Sequence, residues 1–425
     1  MTGVPVQDQT SQDGRAAVVI GGGIVGISCA LFLQRDGWTV TVIDPAEPGS
    51  PDQTSYGNAG SISSSSVMPT ALPGVIKQVP KMLADPTGPL AIQWRYLPRL
   101  VPFLTSFLRY SSRENVEASG RAIAAMIHRV SDAYGILLEE TGTREMVVPN
   151  GSLKVYKTDQ SFAASAFERE LLEKNDCRYD VLNEDEIRQL EPALQPIFKH
   201  AIFMPDSSTA VNPGRMVARF AEHFVAKGGT IVRGEARDVR FRDGTPRTVV
   251  TGAGDHEGDL IVLAAGAWSR ELAAKLGARV LLEAERGYHV MLPKPPVMPN
   301  RFITFMDRKF ATLPHEVGLR ITSGVEYAKV DAPPDYRRIR SMIPFAQESI
   351  RDLDATEQSI WLGRRPTLPN SVPVISRSPK HDNVLLAFGH SHLGLTMGPA
   401  TGQIIADLAA GRDSGIDLTP YRPDR

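Results

Sequence analysis

The 425-residue chain has few of the features that mark a disulfide-stabilised, metal-binding or nucleic-acid-binding protein. Its two cysteines, Cys29 and Cys177, are too few for a disulfide framework or for the four thiolates that an iron–sulfur cluster usually needs. None of the nine histidines lies in a His-Glu-x-x-His pattern, so no metal site is predicted. The net charge of −1 provides no electrostatic footprint for nucleic acid, and no nucleic-acid partner is expected.

The N-terminus also lacks the features of a secretory signal. Residues 1–15 are polar and acidic, without a basic start or an apolar centre, and they predict a loose leader. Together with the low cysteine content, this favours a reducing, cytoplasmic location. At roughly 150 residues per domain, the chain is long enough for two or three compact units.

An uncharged run from Ala16 to Leu33 has eighteen residues, the length of a short membrane span. Its glycines argue against a span, because the residues at 21–23 are all glycine and would break a helix. Val18 to Ile20 instead predicts a short strand, followed by a tight turn and then a helix.

The turn carries the pattern Gly21-x-Gly23-x-x-Gly26, with Ile24 and Val25 in its variable positions. Between a strand and a helix, such glycines let the main chain approach a dinucleotide pyrophosphate, and the helix N-terminus donates free N–H groups to it. The alternative is a glycine-rich turn of an ordinary α/β domain.

An acidic residue at the end of the next predicted strand supports the dinucleotide interpretation. The helix is expected to end at Asp36-Gly37, and a second strand, Thr39 to Ile43, leads to Asp44. Asp44 follows Gly21 by 23 residues, close to the spacing of an acid that binds a ribose hydroxyl. An acid there disfavours the 2′-phosphate of NADP, but the residues leave both NAD and FAD open.

Two later segments contain further strands that end in small residues. The first, Ile261 to Trp268, includes Ala265 and Gly266, which would let a second stretch of main chain approach the cofactor. The second, Val384 to Phe388, leads through a loop to a helix predicted over 398–410. That helix either directs its positive N-terminal end at a cofactor ring or simply covers a sheet.

Taken together, these segments resemble the D-amino acid oxidase superfamily of FAD-dependent oxidoreductases, and within it the D-amino acid dehydrogenase branch. The resemblance covers nearly the whole chain. Its most specific motifs are the glycine turn, Thr54-Ser55-Tyr56-Gly57-Asn58-Ala59-Gly60, Ala265-Gly266, Arg286-Gly287-Tyr288, Gly363-Arg364-Arg365-Pro366 and the loop from Gly389 to Thr396.

The resemblance implies an α/β fold: a Rossmann-like FAD-binding domain with an interleaved α+β substrate domain that carries a mixed sheet. The expected boundaries are 13–75, 206–282 and 357–425 for the FAD-binding domain, and 76–205 and 283–356 for the substrate domain. Asn212-Pro213 supports one joint, because asparagine is a good N-cap and proline suits the first helical position.

The resemblance also implies non-covalent FAD and a set of residues around it. Asp44 is expected at the adenosine ribose and the glycine turn at the pyrophosphate. The other cofactor-binding positions implied are Ser55, Asn58, Ala59 and Gly60 along the flavin, Arg237 through its main chain near the adenine, Ala265 and Gly266 at the strand end, and Gly394, Leu395 and Thr396 at the flavin pyrimidine.

Three residues are implied at the substrate. Arg365 corresponds to an arginine that binds carboxylate in several relatives, and a guanidinium suits bidentate binding; the alternative is an ion pair with an acid between the domains. Tyr288 either contacts substrate or is a core aromatic, and His392 is expected near flavin and substrate. Phe310 stands where some relatives present a tyrosine to the carboxylate.

The implied reaction is hydride transfer from the substrate Cα to flavin N5, with an amino acid as the small-molecule substrate. The expected substrates are D-amino acids, above all cyclic D-imino acids such as D-proline or cis-4-hydroxy-D-proline. A glycine- or sarcosine-type oxidase and the flavin subunit of a heteromeric dehydrogenase remain alternatives. The electron acceptor stays open, with a quinone or a partner protein as candidates.

A helix predicted over Leu97 to Tyr110 bears on that acceptor. It carries apolar side chains and is flanked by Arg95, Arg99 and Arg109, a pattern that fits peripheral contact with an inner membrane. The alternative is an apolar face buried against the substrate domain.

Overall fold

The computed structural model describes residues 15–85, 88 and 90–425. The expected loose leader, apart from Arg15, lies outside the described residues, as do residues 13 and 14 of the first expected FAD-binding segment. In chain order, the strands of the described part are β1 (Ala16–Ile20), β2 (Thr39–Asp44), β3 (Ser61–Ile62), β4 (Leu90–Ile92), β5 (Val147–Val148), β6 (Ser152–Tyr156), β7 (Asp180–Leu182), β8 (His200–Met204), β9 (Ser208–Ala210), β10 (Thr230–Arg233), β11 (Ala236–Arg242), β12 (Thr245–Thr251), β13 (Gly254–Glu257), β14 (Leu260–Leu263), β15 (Glu283–Leu292), β16 (Phe302–Phe305), β17 (Phe310–His315), β18 (Gly318–Tyr327), β19 (Ser359–Thr367), β20 (Val374–Arg377) and β21 (Val384–Phe388).

The α-helices of the same residues are α1 (Ile24–Arg35), α2 (Val75–Ala84), α3 (Leu97–Tyr110), α4 (Arg113–Ile127), α5 (Val130–Thr141), α6 (Asp159–Ala163), α7 (Ala166–Lys174), α8 (Glu184–Leu190), α9 (Pro213–Ala226), α10 (Ser269–Lys275), α11 (Arg337–Arg340), α12 (Ile343–Ser349) and α13 (Gly394–Ala410). Short 3-10 turns occur at Trp94–Tyr96, Arg144–Met146, Gly266–Trp268 and Thr419–Tyr421.

A six-stranded sheet contains the glycine turn. Its strand order is β10-β2-β1-β14-β21-β20, and all neighbours are parallel except β20 and β21. The central strands are continuous apolar runs because both faces are covered. Ala17 and Val19 pack in one core with α1 and α13, whereas Val18 and Ile20 pack in another with β11, β12 and α10.

The C-terminal helix α13 begins at Gly394, so the predicted start at 398 is wrong by four residues. The difference arises because Pro399 lies inside the helix and cannot donate to the carbonyl of Leu395. The hydroxyl of Tyr134 donates to that carbonyl instead, at 2.6 Å. A hydrogen bond from a residue 261 positions away thus lets the helix continue through a proline.

A second sheet is mixed, as the resemblance implies. Its order is β19-β15-β18-β17-β16-β6-β8-β7, with β4 paired to β18. The pairs β16–β6 and β18–β4 are parallel, and the others are antiparallel. Residues 359–367, which the expected boundaries assign to the FAD-binding domain, form its edge strand β19. The remaining domain boundaries stay a prediction.

The predicted strand over 261–268 is too long. Strand β14 ends at Leu263, and residues 266–268 form a 3-10 turn in which the Trp268 amide donates to the Ala265 carbonyl at 3.0 Å. Gly266 has a φ of +53°, a left-handed conformation that a strand does not contain.

The predicted helix over Leu97 to Tyr110 is present as α3 and is partly buried. Leu100 and Phe103 pack with Tyr96 and Tyr327, whereas Val101 remains exposed. Over the described ranges, no helix combines the length and the apolar character required to cross a membrane.

Candidate active site

A cavity of about 1870 Å³ connects the glycine turn with the mixed sheet. Gly21 and Asp44 contribute to its lining, as do Arg365 and His392. The carboxyl ends of β1, β2 and β14 therefore open onto the same space as β19, and ligands of parallel α/β sheets bind at such strand ends.

The glycine turn is shaped by contacts between main-chain segments. Gly21 has a φ of +109°, and its amide donates to the carbonyl of Ile43 at 2.8 Å. A Cβ on Gly21 would overlap the carbonyl oxygen of Ala264, and a Cβ on Gly26 would overlap that of Gly21. Only glycine fits these two positions, because the ends of three neighbouring strands and the first turn of α1 touch here.

The N-terminus of α1 offers free donors to the cavity. Ser55 caps the helix from outside, since its Oγ accepts from the Ile24 amide at 3.0 Å. Within the described part of the chain, the amides of Val25 and Gly26 have no acceptor. Free amides at a helix start are suited to a phosphate, so the turn fits the pyrophosphate of FAD.

Asp44 is held for binding by two main-chain donors. Its Oδ2 accepts from the Gly22 amide at 2.6 Å and its Oδ1 from the Ala46 amide at 2.7 Å. Burial raises the pKa of Asp44, while these two amides, Gln53 and Arg233 lower it. Each carboxylate oxygen retains lone pairs for a ribose hydroxyl.

Most of the other residues expected to bind FAD line the cavity, whereas two of them hold neighbouring segments of the protein in place. Residues lining the cavity are Gly23, Ser55, Asn58, Ala59, Arg237, Ala265, Gly266, Gly394 and Leu395. Thr396 instead joins two segments, because its Oγ1 donates to the Ser61 carbonyl at 3.0 Å and accepts from the Ser63 amide at 3.2 Å. Gly60, at a φ of +73°, packs against Leu313.

Sequence reasoning missed the support behind residues 55–60, called here the flavin-side loop because the resemblance implies that they lie along the flavin. The Nη1 of Arg320 donates to the carbonyls of Asn58 at 2.8 Å and Tyr56 at 3.2 Å, and the Nδ1 of His289 lies 3.3 Å from that of Gly57. Burial lowers the pKa of Arg320 to about 10 and that of His289 well below its usual value. The available signal was an arginine, Arg320, between the apolar residues Leu319 and Ile321.

Arg365 lines the cavity and also forms an ion pair. Its Nη1 lies 2.9 Å from Oε1 of the buried Glu285 and 3.4 Å from the carbonyl of Gly324. The guanidinium lies flat against Gly287, where a Cβ would be 2.5 Å from its Cζ. Among the described residues, its Nε and Nη2 have no acceptor. The ion pair considered as the alternative is therefore present, yet two donors remain for a carboxylate.

Tyr288 has its hydroxyl engaged in the core. The hydroxyl donates to the Glu326 carboxylate. It also accepts a hydrogen bond from the Asp335 amide at 3.2 Å. Burial and Glu326 raise the pKa of Tyr288. Its expected contact with substrate stays a prediction, and the hydroxyl would have to leave Glu326 to donate a hydrogen bond to a substrate.

The two histidines of the last loop differ in their surroundings. His390 is buried, and its Nε2 lies 2.9 Å from Oγ1 of Thr401, while burial lowers its pKa to about 3. The imidazole of His392 opens onto the cavity, and the surrounding protein lowers its pKa to about 4, with Arg365 acting in the same direction and Glu285 opposing it. A neutral imidazole therefore faces the cavity at pH 7.

Neither cysteine contributes a reactive group to this site. Cys29 and Cys177 are both free and buried, and burial raises the pKa of each thiol. In the ranges that the structure describes, no group of three or more His, Cys, Asp or Glu is placed to hold a metal ion.

Comparison with known proteins identifies relatives over nearly the whole chain. The model of the DAO family, described as FAD dependent oxidoreductase, matches residues 16–408. The chain is 36% identical over 421 residues to a D-amino-acid oxidase of Bradyrhizobium diazoefficiens, covering 97% of this chain and 99% of the relative. It is 27% identical over 416 residues to a D-amino acid dehydrogenase of Vibrio vulnificus, covering 95% and 99%.

Solved structures show the same fold. A glycine oxidase from Geobacillus kaustophilus matches with a TM-score of 0.74 at 19% identity, over 97% of this chain and 99% of the other. An L-proline dehydrogenase from P. horikoshii matches with a TM-score of 0.74 at 21% identity, over 96% and 97%. These likenesses confirm the α/β fold with a mixed sheet.

Proposed function

Since the chain belongs to the DAO family of FAD-dependent oxidoreductases and is therefore an enzyme that uses FAD, we propose that it oxidises D-amino acids in the cavity described above. The observation that carries the proposal is the pair of free donors, Nε and Nη2, on Arg365. A planar guanidinium edge matches the two oxygens of a substrate carboxylate. The two similar proteins named above, an oxidase and a dehydrogenase of D-amino acids, support the same substrate class.

The protein contributes mainly position and electrostatics. FAD, which the glycine turn and Asp44 would hold, would supply the acceptor for a hydride from the substrate Cα. Arg365 holds the carboxylate, and Glu285 holds Arg365 in place by an ion pair at 2.9 Å. The neutral His392 borders the same space without adding charge. The amine lone pair forms the imine as the hydride leaves, so the step needs orientation and exclusion of water more than an acid or base.

Within this class we propose cyclic D-imino acids, such as D-proline or cis-4-hydroxy-D-proline, as the preferred substrates. Two segments support this choice by resemblance: Gly363-Arg364-Arg365-Pro366 and the loop that begins at Gly389. Phe310 and Tyr327 add apolar surface to the cavity, against which a ring would bury its methylene groups.

Anaerobic titration of the purified protein tests the proposal. D-Proline, cis-4-hydroxy-D-proline, D-alanine, the L-enantiomers, glycine and sarcosine are added in turn while the flavin absorbance is followed. We expect rapid bleaching by the cyclic D-imino acids and slower bleaching by D-alanine. Fastest bleaching by glycine or sarcosine would support an amine oxidase instead, and bleaching by none would support a subunit that needs a partner.

The electron acceptor requires a separate measurement, because one similar protein is named an oxidase and another a dehydrogenase. We propose transfer to a quinone or a partner protein rather than to oxygen. Peroxide formation in air at the rate of substrate oxidation would contradict this.

We further propose that the acceptor is reached at a membrane surface. Trp94 is 71% exposed and Val101 47%, and the exposed Arg95, Arg99 and Arg109 lie near them in the sequence. Exposed apolar side chains with arginines close by in the sequence would complement anionic lipid. Co-sedimentation with phosphatidylglycerol vesicles should fall in W94S and not in V317S, which alters an exposed valine elsewhere. Equal binding by both variants would argue against this surface.

A further inference from the structure

Lys309 occupies a strained position beside the cavity. It lies in the turn between β16 and β17, with a φ of +56°, and its amide donates to the Phe305 carbonyl at 2.8 Å. A left-handed conformation favours glycine or asparagine over a long side chain and costs of the order of 1 kcal/mol. The side chain reaches the cavity lining. The turn therefore keeps a lysine where the main-chain conformation alone would favour another residue.

The charge of Lys309 is not balanced by an ion pair. Two neighbouring cations of the lining have acidic partners: Lys154 has Glu168, and Arg365 has Glu285. Among the described residues, no acid forms an ion pair with Lys309. Burial lowers its pKa, with a further lowering by Lys154, while Glu168 and Asp307 oppose this. Lys309 is exposed and lines the cavity, and an anionic ligand there would supply the opposite charge that the protein does not.

The side chains next to Lys309 make this part of the cavity lining polar. Thr304 pairs with Lys154 across the parallel strands β16 and β6, so the two side chains stand on the same face of the sheet. Both line the cavity, as does Glu168, which the Lys154 ammonium neutralises. With Lys154 and Glu168 neutralising each other, Lys309 leaves a net positive charge beside hydroxyl and ammonium donors.

The main chain connects Lys309 to the expected carboxylate site. The Ser323 hydroxyl donates to the Lys309 carbonyl at 3.2 Å, and the next residue, Gly324, presents its carbonyl 3.4 Å from Nη1 of Arg365. Two adjacent residues of β18 thus separate the guanidinium from the main chain of the lysine. Both cations border the same cavity.

We infer that Lys309 forms a second anion subsite, which binds the side-chain carboxylate of an acidic D-amino acid while Arg365 binds the α-carboxylate. This rests on the proposed oxidation of D-amino acids and extends it to a second substrate class. For D-glutamate, the amino acid loses a hydride from Cα to FAD and a proton from nitrogen to solvent. Water then hydrolyses the imine, which releases ammonia and the 2-oxo dicarboxylate.

The test compares two nearly isosteric pairs that differ in side-chain charge: D-glutamate with D-glutamine, and D-aspartate with D-asparagine. Anaerobic flavin reduction gives the rate constant divided by Kd for each compound, and the acid-to-amide ratio cancels general damage to the enzyme. In K309M we expect the ratio to fall by about 10- to 100-fold, the usual effect of losing a charge-assisted hydrogen bond. K309R, which keeps the charge, should retain most of the ratio.

A matched control is K329M, which removes another lysine of the cavity lining and should keep the wild-type ratio. An unchanged ratio in K309M, or a wild-type enzyme that prefers the amides, would overturn the second subsite. These outcomes differ from failure of the proposed function, in which the wild-type flavin is bleached by no D-amino acid at all.

Discussion

The two ends of the cavity are built by different means. At the glycine turn, shape comes from main-chain atoms in contact, because a side chain on Gly21 or Gly26 would overlap a carbonyl oxygen. On the mixed sheet, charged side chains held in pairs form the surface, with Arg365 against Glu285 and Lys154 against Glu168. A binding surface made of main-chain atoms in contact leaves no room for a larger residue at its glycines. A surface made of charged side chains can change by single substitutions. The first suits a cofactor common to a family, and the second suits a substrate that differs among its members.

The largest effect is expected from G26A. The added methyl group would overlap the carbonyl oxygen of Gly21 and separate α1 from the strand ends, so FAD should be lost and the protein should unfold at a much lower temperature. The ratio of flavin to protein absorbance after purification and the thermal midpoint measure both effects. G135A is the control, since no atom lies within 4 Å of a Cβ there and alanine favours a helix. A yellow, stable G26A protein would contradict the contact.

At the other end, R365K should keep the ion pair with Glu285 and lose the planar edge that is proposed to bind the substrate carboxylate. We expect kcat/KM for D-proline to fall by roughly 100-fold, because one of two charge-assisted hydrogen bonds is lost and the other is misplaced. FAD content should stay at the wild-type level. R364K is the neighbouring control, since Arg364 donates to the Val330 carbonyl instead, and a fall as large as in R365K would contradict the assignment.

Arg320 links the two ends, because it extends from the mixed sheet to the carbonyls of Tyr56 and Asn58 in the flavin-side loop. In R320M both carbonyls lose a donor, and we expect about 2 kcal/mol less free energy of unfolding, with a Kd for FAD about tenfold higher. R320K should be intermediate, since an ammonium reaches fewer acceptors. Denaturant unfolding and FAD fluorescence measure the two quantities. Wild-type FAD affinity in R320M would show that the loop keeps its shape unaided.

The smallest effect concerns pH. Burial lowers the pKa of His390 to about 3, so below pH 6.5 the unfolded chain takes up a proton that the folded protein does not. Stability should therefore fall as pH decreases, by about 1 kcal/mol from this residue between pH 6.5 and 5.5. H390Q retains a partner for Thr401 and should show a shallower decrease of unfolding free energy over this interval. Parallel pH curves for both proteins would contradict the lowered pKa.

Much of the nucleotide end could be predicted from sequence because its rules are local. The strand before Gly21, the helix after Gly23 and the acid at Asp44 all follow from spacing within about thirty residues, and the structure has each of these elements. The start of α13 could not be predicted in this way. It depends on Tyr134, whose hydroxyl satisfies the Leu395 carbonyl that Pro399 leaves free.

The substrate end was predicted less completely because its pairs join distant strands. Arg365 was singled out by resemblance, but its partner Glu285 lies 80 residues away, and no local pattern indicates that contact. The sequence did not identify Lys309 as a site residue, because its left-handed φ is apparent only in the three-dimensional structure. Charged residues at alternate positions of the buried strand β15, such as Glu283 and Glu285, were the one available signal.

Helix α1 also has a consequence for biosynthesis. Nine of its twelve residues are buried, and the helix that covers it, α13, is more than 350 residues further along the chain. A Cβ on Gly402 would lie 2.6 Å from the main chain of Ser28, so α13 packs against α1 closely enough that only glycine fits at position 402. During synthesis, the apolar surface of α1 that α13 covers stays exposed until α13 has been made. Nascent chains with exposed apolar surface are prone to aggregate. Because Gly394 and Leu395 at the start of α13 also line the cavity, we expect FAD to bind only after this helix has been synthesised.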